Sequence, residues 1–257
     1  MDIKRTVTGK TLKIIAMATM LLDHVAVGFW YMHWYHAGFD MVGWFSSGYM
    51  FTYRVMRLIG RIAFPLYCFM LVEGLEYTRD IKKYMLRILA LAVISEVPFD
   101  MALESSWFYP QYNNVLWTLA LGLGAIATMK WSAKEIVDTS EDKQIYFRVL
   151  YYAAPILACL IALFAHTDYS YVGVICIVCL YVLSYVRKYN FVFSYIIIVV
   201  ILTIGSGFIE IAALVGAIPV ALYSGKRGNV SKAFNRFSYL FYPLHLGLIA
   251  LIYSIFG

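Results

Sequence analysis

Charge is scarce in this chain. Only 14% of its 257 residues are Asp, Glu, Lys or Arg, against about 25% in an ordinary soluble domain. The sequence has no low-complexity tract, no internal repeat and no soluble domain, and its one strongly polar loop is WSAKEIVDTSEDKQ at 131–144. Cysteine is sparse, and Cys68, Cys159, Cys176 and Cys179 all sit inside apolar runs. Cys176 and Cys179 form a C-x-x-C within GVICIVCLYVL, without a second pair or turn residues. Metal sites need polar partners and redox sites need solvent access, so these thiols read as small core residues. A strand-linked G-x-G-x-x-G, a P-loop, H-E-x-x-H and G-x-S-x-G are all missing. Gly122 and Gly124 in LALGLGA lie in an apolar run and read as packing positions, not as a phosphate cradle. Soluble, disordered and secreted-scaffold readings are excluded.

Apolar residues are abundant instead. They make up 62% of the chain, with 22 Tyr, 17 Phe and 6 Trp, and the mean hydropathy is +0.73. A compact soluble protein of this size has too little interior for them, whereas a chain with many membrane–water crossings uses aromatics at each interface. The expected fold is all-α, a polytopic transmembrane helix bundle forming a single domain over 1–257. A span needs roughly 20 apolar residues, and nine runs qualify: about 12–32, 55–76, 83–103, 112–130, 146–166, 170–187, 190–206, 208–224 and 238–256. The stretch 170–224 is crowded, with RKYN and GSG as its only separators. The first run has a basic flank like a signal peptide, but Asp23 and His24 interrupt it and no A-x-A-like site follows, so it is expected to be retained.

With the N-terminus cytoplasmic, every Lys and Arg except Arg54, Arg57 and Arg61 falls on inner loops or inner helix ends. The positive-inside rule then sets the N-terminus in and the C-terminus out. The net charge of +6 reads as topology and calls for no nucleic-acid partner.

Ionisable groups at membrane depth are costly and usually face a cavity or one another. Lys13 and His24 are eleven residues apart on the first helix. At about 100° per residue they differ by roughly 20° after whole turns, with about 16 Å of rise between them. One stripe therefore carries a basic group at the inner end and an imidazole deeper in. The same spacing also suits a snorkelling Lys beside a His satisfied by a neighbouring helix. Arg54, Arg57 and Arg61 share a face of the second run, toward the outer side. They suit an anion or carboxylates, for which Glu73, Glu96, Asp100 and Asp168 are available. Asp23 points about 100° away from His24 and is free to meet a second-run arginine. Asn113, Asn114 and Thr118 open the fourth run. Tyr242 and His245 share a face of the last. His33 and His36, flanking Trp34 and Tyr35, read as part of an interfacial aromatic belt more than as a metal site.

Specific strings go further. LKIIAMATMLLDHVAV (12–27), RLIGRIAFPLYCFMLVEGLEYTRD (57–80), KKYMLRILALAVISEVPFDMAL (82–103), NVLWTLALGLGAI (114–126), DYSYVGV (168–174) and YLFYPLHLGLI (239–249) resemble the TraX family in order along most of the chain. The namesake of that family acetylates the N-terminus of conjugative pilin in the bacterial inner membrane. The family is distantly similar to the transmembrane acyltransferases, including the bacterial type 3 family and heparan glucosaminide N-acetyltransferase. In the type 3 family a basic residue and a His stand eleven apart on one helix, as Lys13 and His24 do, with Lys here where many members have Arg.

The resemblance implies acetyl transfer from cytosolic acetyl-CoA to an amine or hydroxyl acceptor, a peptide or a small molecule, in a multi-pass protein of the bacterial cytoplasmic membrane. It makes His24 the catalytic base, with Asp23 and Asn114 as further candidates at the reacting centre. Asn114 or a second-run arginine is a candidate donor to the thioester carbonyl. Lys13 is the first candidate to hold CoA phosphates, joined by Arg57, Arg61, Arg87, Tyr242 and His245, and His245 is also the rival base. A proton-coupled small-molecule transporter is the alternative from another class, because buried His, Asp, Glu and Arg suit it too. A non-catalytic scaffold is the third. Paired interrupted helices in two matching halves, expected of many transporters, are not evident.

Overall fold

The computed structural model describes residues 5–31 and 48–256; His33, Trp34, Tyr35 and His36 lie outside them. The described residues are helical, with isolated bridges at Val7–Tyr223 and Asn113–Thr167 and no strand. Helix α1 (Gly9–His24) continues into a π-helical turn, Val25–Tyr31. Then come α2 (Gly48–Gly60), α3 (Ala63–Tyr77), α4 (Ile81–Leu103), α5 (Val115–Asp138) and α6 (Glu141–Phe164). Helix α7 (Ser170–Tyr181) runs into a second π turn, Val182–Val186, and is followed by α8 (Phe191–Ser206). A 3₁₀ stretch (Phe208–Gly216), the short α9 (Ala217–Ala221) and α10 (Lys232–Phe256) complete the order.

Five segments, not the expected nine, are long and apolar enough to cross a membrane among the described residues: Gly9–Gly28, Met50–Tyr77, Val115–Asp138, Glu141–Phe164 and Lys232–Ile255. They match the runs at 12–32, 55–76, 112–130, 146–166 and 238–256. The run at 83–103 does form α4, but Arg87, Glu96 and Asp100 interrupt its apolar length. Between 170 and 224 the turn at 187–190 and Gly207 cut the chain into helices shorter than one span. Gly207 sits at φ +116°, a backbone conformation open to glycine and strained for other residues.

The contacts divide the chain into two compact units, with two of the four divisions falling inside α3 and α4. Unit 1 comprises Met1–Tyr67, Ile94–Tyr109 and Gly207–Gly257; unit 2 comprises Cys68–Val93 and Pro110–Ser206. In unit 1, α10 lies along α1 in the same direction. Lys10 meets Phe234, Lys13 meets Tyr239, His24 meets His245, and a Cβ on Gly28 would strike Ile249. The first turn of α1 has amides without helical partners, and Gly9 and Lys10 donate theirs to the carbonyls of Lys226 and Arg227, at 2.9 and 3.0 Å. The N-terminus is thereby tied to the loop that precedes α10.

In unit 2, α5 and α6 pack with α7 around Ala125, Ala158, Ala162 and Val174. A side chain at Gly122 would strike Ile177, which bears out its reading as a packing position. Cys68 and Cys176 are buried, and all four cysteines are free. On α6, Ile145, Tyr152, Ile156 and Phe164 are mostly exposed. An apolar face of that extent on a folded helix needs lipid to cover it, so this is a membrane protein.

Candidate functional site

Lys13 and His24 do share a face of α1, and that face meets α10. The Lys13 ammonium donates to Ser238 Oγ at 3.4 Å and lies 5.5 Å from the centroid of the Tyr239 ring. Neither contact saturates it, since an ammonium carries three donors. His24 is the last residue of α1, where the helix widens into its π turn, a local geometry frequent at functional sites. Its imidazole is half-buried.

Opposite stands His245, 5% exposed. His24 Nδ1 and His245 Nε2 are 2.6 Å apart, with ring planes 7° apart and centroids 4.9 Å apart. Two ring faces cannot approach to that nitrogen–nitrogen distance, so the imidazoles lie edge to edge and share a hydrogen. His245 Nδ1 lies 2.6 Å from the Phe241 carbonyl oxygen, and the Phe241 ring stacks on His245 at 4.7 Å. Tyr242 presents its ring at 71° to both imidazoles, 5.8 Å from His24 and 5.6 Å from His245. The sequence placed Tyr242 and His245 on one face of their helix. What it did not reveal is that His245 is the hydrogen-bonded partner of His24, on a helix more than two hundred residues away.

Asp23 turns the other way, toward α2. Its Oδ2 accepts from Arg57 Nη1 at 2.7 Å and from Arg61 Nη2 at 2.5 Å. Arg61 Nη1 also donates to Glu210 Oε1 at 2.9 Å. Asp23, Arg61 and Glu210 are buried. Two acids and two arginines form a neutral cluster, the condition under which buried charges are tolerated. The approach depends on Gly60, where any Cβ would collide with the Asp23 side chain. Arg57 remains half-buried.

This corrects part of the sequence reading. The carboxylates on Arg57 and Arg61 are Asp23 and Glu210. Of the acids expected there, Glu73 accepts from the Tyr185 hydroxyl, Asp168 from the Tyr112 hydroxyl, and Asp100 from the Tyr109 amide. Glu210 was missed, although it is the lone charge in the apolar run FIEIAALVGAIPV, and an isolated charge of that kind needs a partner. Asp23 does not orient His24, as its spacing implied.

Asn114 belongs to unit 2, and both ends of its side chain are engaged there. Its Oδ1 accepts from the Leu116 amide at 3.0 Å, capping α5, and its Nδ2 donates to the Ala92 carbonyl at 2.9 Å. Arg87 is exposed and also lies in unit 2. That unit holds an apolar cavity of about 750 Å³ lined by Met85, Leu89, Trp117, Leu121, Leu157 and Ile161 among others, and none of the expected site residues lines it.

The model of the family described as TraX protein matches residues 8–253. The chain belongs to the TraX family. The match takes in Lys13, Asp23, His24, Arg57, Arg61, Glu210, Tyr242 and His245. The probable fimbrial assembly protein FimC, serogroup H1, of Dichelobacter nodosus is 36% identical over 122 residues. Those residues are 45% of this TraX-family chain and 43% of that protein, so the likeness spans less than half of the relative's length. No solved structure matches the chain.

Proposed function

We propose that this protein is a membrane-embedded acetyltransferase that carries an acetyl group from cytosolic acetyl-CoA to an amine, with His24 as general base. The observation that carries this reading is the pair of hydrogen-bonded imidazoles, His24 on the α1 face that carries Lys13 and His245 opposite it on α10. Family membership supports it, because the namesake of the TraX family acetylates pilin. The relative named as a fimbrial assembly protein points the same way, toward the N-terminal amine of a pilus subunit as acceptor; a hydroxyl acceptor is the other chemistry open to the site.

In this reading the N-terminus faces the cytoplasm. Lys10, Lys13 and Arg227 then stand at the inner end of unit 1, where the phosphates of the donor arrive. Their chemistry fits: three cations on adjoining segments, with Lys13 held, among the described residues, by a long hydrogen bond and an aromatic face. The neutral acceptor amine attacks the thioester carbonyl and forms the new C–N bond while His24 takes its proton. The C–S bond breaks, and the leaving CoA thiolate recovers that proton from the imidazolium. Arg57 is the candidate donor to the carbonyl oxygen as it gains charge, because only part of its guanidinium is used by Asp23.

The test is the purified protein in nanodiscs with acetyl-CoA and a peptide bearing a free N-terminus. Mass spectrometry should find one acetyl group added by the wild type and none by His24→Ala that folds normally. Full transfer by His24→Ala would remove His24 from the role. Absence of transfer by the wild type to peptides, amines and alcohols alike would remove the reading itself.

A further inference from the structure

We propose that His245 is a positioning residue that fixes the tautomer of His24, holding its proton on Nδ1 and leaving Nε2 as the atom that receives the acceptor's proton. The catalytic consequence rests on the acetyltransferase reading. The tautomer assignment does not depend on it.

The argument starts at the Phe241 carbonyl. A carbonyl oxygen only accepts, so the 2.6 Å contact with His245 requires a hydrogen on His245 Nδ1. A neutral imidazole carries one N–H, which makes His245 Nε2 a lone pair. That lone pair lies 2.6 Å from His24 Nδ1, so the hydrogen between them belongs to His24. His24 therefore has Nδ1–H, and its Nε2 is the basic atom. No described residue hydrogen-bonds His24 Nε2, which leaves it to an incoming acceptor.

The one way to reverse the assignment is to protonate His245 on both nitrogens. That would put a positive charge on a side chain that is only 5% exposed and that no described carboxylate bonds. It would do so on a ring packed between Phe241, Tyr242 and His24, with Asp23 and Glu210 already committed to the arginines. Charge balance favours the neutral pair. The ring of His245 cannot turn to offer its other edge, because the Phe241 stack and the Nδ1 bond hold it from two sides.

His245 thus occupies the place that a buried carboxylate holds behind the imidazole of a Ser-His-Asp triad. An uncharged partner stabilises the imidazolium less than a carboxylate would. The proton taken from the amine is therefore returned readily to the leaving thiolate. Asp23, the chain neighbour of His24, points away from it and is engaged by its two arginines.

The experiment uses the full chain in nanodiscs, labelled with ¹⁵N-histidine, with His24 assigned by the resonances lost in His24→Gln. In the wild type, Nδ1 should show the shift of a protonated ring nitrogen and Nε2 that of a lone-pair nitrogen. His245→Leu removes the acceptor, and the His24 resonances should move toward a mixture of tautomers. Its kcat should fall roughly 10²–10⁴-fold, with the KM for acetyl-CoA little changed. His245→Gln keeps an acceptor at the same distance along the side chain and should restore both the spectrum and most of kcat. A wild-type His24 protonated on Nε2 would overturn the proposal, and so would a His245→Leu protein with unaltered tautomer and kcat. If the tautomer is as stated and no transfer occurs with any acceptor, the acetyltransferase reading fails while the assignment stands.

Discussion

In unit 2, Asn114 and Thr118 close turns, while buried Glu73 takes the Tyr185 hydroxyl. Asn114 caps α5, and the Thr118 hydroxyl reaches Thr167 and the backbone of Asp168, joining the start of α5 to the loop before α7. In unit 1 the polar groups meet side chain to side chain: Asp23 and Glu210 with Arg57 and Arg61, His24 with His245. The difference is one of remaining capacity. A side chain bonded to backbone amides and carbonyls holds a fold together and has little left to offer a substrate. A neutral cluster of charges beside an imidazole with one nitrogen that no described residue bonds keeps capacity for a ligand. The strings NVLWTL and LLDH look equally distinctive in the sequence, and tertiary contacts give them different work.

The sharpest way to break this comparison is at His24. His24→Ala should lower turnover by roughly 10²–10⁴-fold, the usual contribution of a general base, with little change in thermal unfolding. Arg61→Met tests whether the unit 1 cluster is held by charge balance. It leaves Asp23 and Glu210 with less compensation in a buried setting, and should cost about 3–5 kcal/mol of stability. Adding Glu210→Gln to that variant should recover part of the loss, measured by unfolding in detergent. Gly60→Ala probes the approach of α2 to Asp23. Forcing a methyl into that contact should destabilise by about 1–3 kcal/mol and should also reduce acetyl transfer, because the arginines move with α2.

The mildest change is expected in unit 2. Asn114→Ala removes a helix cap and should cost about 1–2 kcal/mol, while turnover per folded molecule stays near wild type. A collapse of turnover with stability intact would return Asn114 to the reacting centre and erase the distinction between the units.

Much of the fold was legible because its rule is compositional. Five runs form segments that satisfy the length and polarity of a span, and their positions follow from hydropathy. Among the described residues the other four runs fall short of that length or polarity. Near 170–224 a few turn residues divide apolar sequence that hydropathy alone treats as continuous, and on α4 three charges interrupt it. The Lys13–His24 stripe was legible because helical period fixes which residues share a face. Asp23 meeting an arginine followed from the same period.

The sequence by itself determined that this is a helical membrane chain with Lys13 and His24 on one stripe, since these follow from composition and from the 3.6-residue turn. Only the tertiary structure decided what faces that stripe. Whether His245 is rival or partner, which acids neutralise Arg57 and Arg61, and whether Asn114 caps a helix or reaches a reacting atom all depend on contacts between segments far apart in the chain. A helical repeat fixes neighbours within one element; packing between elements fixes the rest.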